Sequence, residues 1–186
     1  MTRNLGSTEL KRLHRSWRDR STNRLALLLD GVQTPYNVGS ILRTAAAYRV
    51  DHLWLVGPTA APTDAKTQKT ALGSQKYLTW TITASVTDAV ADVQRQGYTL
   101  VGVELADGAD PLFELDLTGD VCLAVGHEDR GLSGDCLAAC GHVGYLPLVG
   151  RIGSLNVATA ASMAMYEARR QSFQAPARSG GAPPVA

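Results

Sequence analysis

Four short, unbroken apolar runs constrain this 186-residue chain more than anything else in it. They are RLALLLD (Arg24–Asp30), HLWLVGP (His52–Pro58), TLVGVEL (Thr99–Leu105) and VCLAVG (Val121–Gly126). Each is too short for a helix, and none alternates with polar residues as a strand with one wet face would. They read as strands covered on both sides. An edge strand is expected near Leu78–Ile82, and HVGYLPL (His142–Leu148) is expected as the last strand. Helical patterns separate the strands at Ser40–Tyr48, from Ser85 to Gln96, at Leu132–Cys140 and at Ser154–Gln171. Ser85 is a natural cap, and Gly97 is placed to end the helix it starts. Strands alternating with helices predict an α/β fold, a mostly parallel sheet with helices on both faces.

The ends differ in character. Ser7–Arg20 reads as an amphipathic helix capped by Ser7, with Leu10, Leu13 and Trp17 on one stripe and Lys11, Arg15 and Arg18 on another. Residues 1–24 carry seven basic and two acidic side chains, a net of +5, whereas the remainder carries eleven and fifteen, a net of −4. A basic arm on an acidic body suits a polyanion held by the arm, and it also suits a plain solvated helix face. The expected organisation is a basic extension over 1–23, one domain over 24–171, and an unfolded tail over 172–186 rich in Ala, Pro and Gly. There is no bilayer-length apolar run, and MTRNLGSTEL lacks a signal-peptide core. The expected location is therefore cytoplasmic. Cys136, Cys140 and His142 invite a zinc reading, but their spacing matches no structural zinc pattern, and buried thiols are common.

In parallel sheets, ligands sit on the loops that follow the carboxyl ends of strands. Three such loops are chemically loaded: NVGSILRTA, GHEDRGLS and PLVGRIGSLNVATA. Neither G-x-G-x-x-G nor G-x-x-x-x-G-K-[ST] occurs, so the usual dinucleotide and P-loop readings lose support. Glycines at 126, 131, 150 and 153 instead permit close backbone approach to a flat ligand.

Together these loops resemble the three signature motifs of the SPOUT superfamily, in particular its TrmH-like RNA ribose 2′-O-methyltransferases. The matching residues are Asn37 to Thr44 in the first, Gly126 to Leu132 in the second, and Leu146–Leu148 with Ser154–Val157 and Tyr166–Glu167 in the third. The resemblance covers about Leu25 to Arg170. It implies a six-stranded fold with a deep C-terminal trefoil knot, S-adenosylmethionine as cofactor, no metal, and a homodimer with active sites at the subunit interface. The substrate class it implies is RNA. Many relatives acting on ribosomal RNA carry a separate N-terminal domain of another fold, so tRNA is the expected substrate and rRNA the alternative. A non-catalytic RNA-binding member of the fold is the rival from another class, although the motif residues such a protein would be expected to lose are present.

A ribose 2′-hydroxyl is a poor nucleophile at neutral pH. The resemblance makes Arg43 the central catalytic residue, and a guanidinium does not give up its proton in a protein. A consistent role is to hold a phosphate of the bound nucleotide and stabilise charge developing on the 2′-oxygen. Placed in the first turn of its helix, Arg43 would oppose the dipole, which argues against a structural task. Asn37 can cap that helix and, by resemblance, orient Arg43. Glu128 gains from a helix N-terminus and, by resemblance, positions the arginine or the cofactor loop. Ser154 and Asn156 can open the last helix, and the resemblance has them bond the arginine and the ribose. Val103, Gly126, Leu146 and Leu155 are the expected cofactor-binding positions. Lys11, Arg12, Arg15 and Arg18 are expected on RNA phosphates.

Overall fold

A computed structural model describes residues 2–21 and 23–174. Helix α1 (Ser7–Arg20) leads into strand β1 (Leu25–Asp30), followed by α2 (Pro35–Ala47), β2 (His52–Val56) and α3 (Ala65–Ala71). Then come β3 (Trp80–Thr83), α4 (Val86–Arg95), β4 (Thr99–Val103), β5 (Asp110–Pro111) and β6 (Val121–Gly126). The chain finishes with α5 (Gly134–Ala139), β7 (His142–Tyr145) and α6 (Val157–Gln174). The strands form one sheet in the order β3-β2-β1-β6-β4-β7-β5, and every recorded pair is parallel.

Every residue of β1 is buried, as its unbroken apolar run requires. Successive side chains of a strand point to opposite faces. Leu25, Leu27 and Leu29 accordingly join one core layer with Ile41 and Leu42 of α2 and Ala161 and Met165 of α6. Ala26 and Leu28 join the other with Trp54, and with Val90 and Val93 of α4. A buried leucine contributes about 1.5–3 kcal/mol, so the four leucines of this strand anchor both layers at once.

Several boundaries differ from expectation for identifiable reasons. The sheet has seven strands because Asp110–Pro111, inside the acidic loop, makes a two-residue pairing with β7 that no periodicity announces. Helix α2 begins at Pro35 rather than Ser40, since proline fits the first helical position, where its missing N–H costs nothing. Helix α3 fills the stretch read as irregular and packs against α2. A Cβ on Gly39 would lie 2.5 Å from the Thr67 carbonyl oxygen, so only glycine permits that approach. Gly6 rather than Ser7 caps α1. Helix α6 continues to Gln174, burying Ser172 and packing Phe173 at a tilt against Trp17 with ring centroids 5.0 Å apart. The rest of the expected tail, 175–186, lies outside the described residues. Cys136 is buried in the second core layer, and the Cys140 thiol donates to the Cys136 carbonyl at 3.2 Å.

At the foot of α6, Arg169 is only 3% exposed and donates to the carbonyls of Tyr48 (2.8 Å), Arg49 (2.6 Å) and Asn23 (3.0 Å), and to Ser21 Oγ (2.8 Å). One guanidinium thus joins the end of α1, the entry to β1 and the turn after α2. Arg169→Met, of similar length, strips those buried acceptors of their donor. A loss of about 3 kcal/mol is expected, read as a lower urea midpoint. An unchanged midpoint would show that water replaces the guanidinium without cost.

Candidate active site

The sheet order reverses direction between β1 and β6, and the crevice beyond their carboxyl ends is where such folds bind ligands. Helix α2 starts there without a side-chain cap on Thr34. Its entry is satisfied from the neighbouring loop. Glu128 Oε1 accepts from the Thr34 amide at 3.0 Å and from Asn37 Nδ2 at 2.9 Å, and Oε2 accepts from the Gln33 amide at 3.3 Å. The dipole Glu128 serves is therefore that of α2, reached across the crevice, and not that of α5, which follows it in the chain.

The polarity of the next contacts follows. A carboxylate only accepts, so Asn37 must turn its NH2 to Glu128 and its oxygen outward. That oxygen accepts from Asn156 Nδ2 at 3.0 Å. Asn156 is left with its own oxygen for the first turn of α6, where it accepts from the amides of Ala158 (3.0 Å) and Thr159 (3.3 Å). Glu128, Asn37 and Asn156 form one relay across all three motif loops, running from a pure acceptor to a helix end that can only donate.

Burial would raise the Glu128 carboxyl, but the bonds from Asn37 and Thr34 outweigh it and hold the pKa at about 2, against an ordinary 4.5. Because the folded value lies below the unfolded one, the stabilisation is complete above about pH 4.5 and drains away as pH falls toward 2. Melting temperatures of the wild type and Glu128→Gln should differ at pH 6, draw together below about pH 4.5 and meet only near pH 2. A gap independent of pH would mean that the charge contributes nothing.

Beside the relay lies a cavity of about 320 Å³. Val103, Gly126, Leu146 and Leu155 all line it, together with Glu128 and Ser154. Its floor is a glycine cradle. A Cβ on Gly126 would lie 2.1 Å from the carbonyl carbon of Gly131, and Gly131 has φ +68 with Glu104 Oε2 2.3 Å from where its own Cβ would stand. Two acids that sequence reasoning passed over hold this cradle. Glu104 accepts from the Leu132 amide at 3.0 Å, and buried Asp30 accepts from the Ser133 amide at 2.8 Å. Both close apolar strands at the carboxyl end, the signal that could have found them.

The remaining expected site residues are not joined to the relay by hydrogen bonds. Arg43 is the ninth residue of α2, so the first-turn argument drawn from the sequence does not apply to it. It is exposed, and makes no hydrogen bond or ion pair among the described residues. Asn37 is the third helical residue and spends its amide on Glu128 and Asn156 rather than on Arg43. Ser154 is exposed at the cavity wall. Lys11, Arg12, Arg15 and Arg18 are all exposed on α1, which meets α6 through Phe173. Seventeen helical steps separate Phe173 from Asn156, about 26 Å. The basic helix lies at the opposite end of α6 from the relay.

Residues 24–166 match the SpoU rRNA Methylase family. The chain is 34% identical over 147 residues to the 23S rRNA (guanosine-2′-O-)-methyltransferase RlmB of Xanthomonas axonopodis, covering 79% of this chain and 59% of that one. It is 31% identical over 147 residues to the tRNA (guanosine(18)-2′-O)-methyltransferase of Escherichia coli, covering 79% and 63%. The chain thus spans about three-fifths of the length of these curated relatives. Among solved structures it is similar to the SpoU methyltransferase AviRb from Streptomyces viridochromogenes in complex with AdoMet, with a TM-score of 0.75, 32% identity, and coverage of 84% of this chain and 65% of that one.

Proposed function

The chain belongs to the SpoU rRNA Methylase family, and from that premise we propose that it transfers a methyl group from S-adenosylmethionine to a ribose 2′-hydroxyl of RNA. The observation that carries the reading is the Glu128–Asn37–Asn156 relay, which fixes the edge of the Gly126 cradle against the start of α2. A glycine-floored cavity with apolar walls at Val103, Leu146 and Leu155 fits a flat adenosyl group, and its volume falls in the range of small-molecule sites. Bound there, S-adenosylmethionine supplies a sulfonium methyl open to attack by an oxygen nucleophile.

The chain's own residues do the rest. Leu146 and Leu155 exclude water around the adenosyl portion, while the His127–Gly131 turn, closed on itself by two backbone hydrogen bonds, walls it. Arg43 lies on α2 six residues beyond Asn37, on the solvent side, where an RNA phosphate can reach it. Its guanidinium stays protonated, clamps the phosphate beside the target ribose and stabilises the negative charge that develops on the 2′-oxygen. The hydroxyl proton leaves to a phosphate oxygen or water. Ser154, at the cavity wall, is the nearest side-chain hydroxyl of the third motif for orienting the ribose.

Both tRNA and rRNA are substrates to test, since relatives named for each match over the same length. Lys11, Arg12, Arg15 and Arg18 serve as phosphate contacts on α1. The working unit is a homodimer, supported by exposed Phe113, Met163 and Tyr166 around an apolar groove next to the cofactor cavity. The C-terminal region carries the trefoil knot of its family, with α6 packed back on α2, β4 and β6.

Calorimetry with S-adenosylhomocysteine, followed by labelled cofactor with tRNA and 23S rRNA transcripts and mapping of the methylated ribose, tests the proposal. Cofactor binding with 2′-O-methylation supports it. Binding without any transfer to either RNA, or methylation of a base, would overturn it.

A further inference from the structure

A second cavity, of about 570 Å³, lies between α1 and the domain, at the foot of α6 and far from the Gly126 cradle. Its lining includes Arg18, Arg49 and Arg169 together with Trp17, Tyr77 and Phe173, and it contains no carboxylate. Asp51, the acid whose charge acts on Arg169, is turned to the Leu25 amide at 2.9 Å and is not part of the lining. Arg169 is buried and spends its donors on neutral oxygens, so no ion pair cancels its charge. Arg18 and Arg49 are exposed and have no ion pair among the described residues.

The aromatic residues divide the work. Trp17 is occupied, with Phe173 at 5.0 Å and the Arg20 guanidinium 4.6 Å from its ring centroid. Tyr77 is 74% exposed, and its one recorded partner is the Lys76 ammonium, 5.0 Å from the ring centroid. A largely exposed aromatic ring beside guanidinium groups that no carboxylate pairs matches a nucleotide, which offers a stacking face and a phosphate together. Arg18 of the lining belongs to α1, whose Lys11, Arg12 and Arg15 are exposed on the same helix, so the nucleotide is drawn from a longer polyanion rather than from a free pool.

We infer that the cavity between α1 and the foot of α6 is a second RNA-binding subsite, which stacks one nucleobase on Tyr77 and holds its phosphate between Arg18 and Arg49. The inference rests on the RNA-methylating role proposed above and adds a place where the substrate is gripped about 26 Å along α6 from Asn156. It makes the enzyme a reader of an extended RNA surface rather than of one nucleotide.

Tyr77→Ala and Arg49→Asn test this in the full chain. Asparagine tolerates the positive φ of 51 at position 49. Affinity for unfractionated tRNA is measured at several salt concentrations, so the subsite is judged whether or not methyl transfer occurs. Tyr77→Ala should weaken binding about tenfold, and Tyr77→Phe should restore it. Arg49→Asn should weaken binding and flatten the plot of log affinity against log salt by about 0.7–0.9. S-adenosylhomocysteine affinity should not change in any of these variants. Wild-type affinity and salt slope in both Tyr77→Ala and Arg49→Asn would overturn the subsite, as would AMP binding to the cavity without any change in tRNA affinity. A wild type that grips tRNA through Tyr77 and Arg49 yet methylates no RNA would instead overturn the proposed reaction alone.

Discussion

Arg43→Ala is expected to slow methyl transfer by about 10²–10³-fold while S-adenosylhomocysteine binds as tightly as to the wild type. The size follows from the task assigned to the guanidinium: a cation, held against an RNA phosphate, at an oxygen where charge develops. Thermal stability should hold within about 0.5 kcal/mol, because Arg43 is exposed and bonds nothing among the described residues. Arg43→Lys keeps the charge but not the planar fork, so its rate should fall between the two. A fully active Arg43→Ala variant would remove the arginine from the reaction.

Gly126→Ala should fail in the opposite way, losing the cofactor before any chemistry can occur. The added methyl carbon would sit 2.1 Å from the Gly131 carbonyl carbon and 2.2 Å from the Leu132 nitrogen, and backbone cannot turn aside as a side chain can. The His127–Gly131 turn must then move off the end of β6, carrying Glu128 away from Asn37. Affinity for S-adenosylhomocysteine should drop at least about a hundredfold, with about 1–3 kcal/mol of stability lost to overpacking. Calorimetry and thermal melts on the same sample separate the two effects. Wild-type affinity in this variant would mean that the cradle does not hold the adenosyl group.

Under the proposed function the two variants would separate a part that binds from a part that reacts, and the sequence disclosed the residues of the site unequally. Val103, Gly126, Leu146 and Leu155 follow from motif matches, and the fold brings all four to the lining of one cavity. Glu104 and Asp30 were passed over because an acid ending an apolar strand looks like an ordinary boundary until its partner loop is in place. Arg169 was hidden differently. Within a helical run it reads as one more surface cation, and only packing shows it 3% exposed beneath the turn after α2.

What the chain alone determined is local. Unbroken runs such as LALLLD demand cover on both faces, and that demand dictates a parallel sheet between two helical layers whatever the partners are. The relay is of another kind. Glu128 reaches Asn37 across 91 positions, and Asn37 reaches Asn156 across 119. Asparagine and glutamate are as much at home at any helix end as in an active site, so their identity does not reveal which end they serve. The fold decided that by bringing three loops to the crevice between β1 and β6, where the only consistent orientation of each amide runs from a carboxylate to a helix N-terminus.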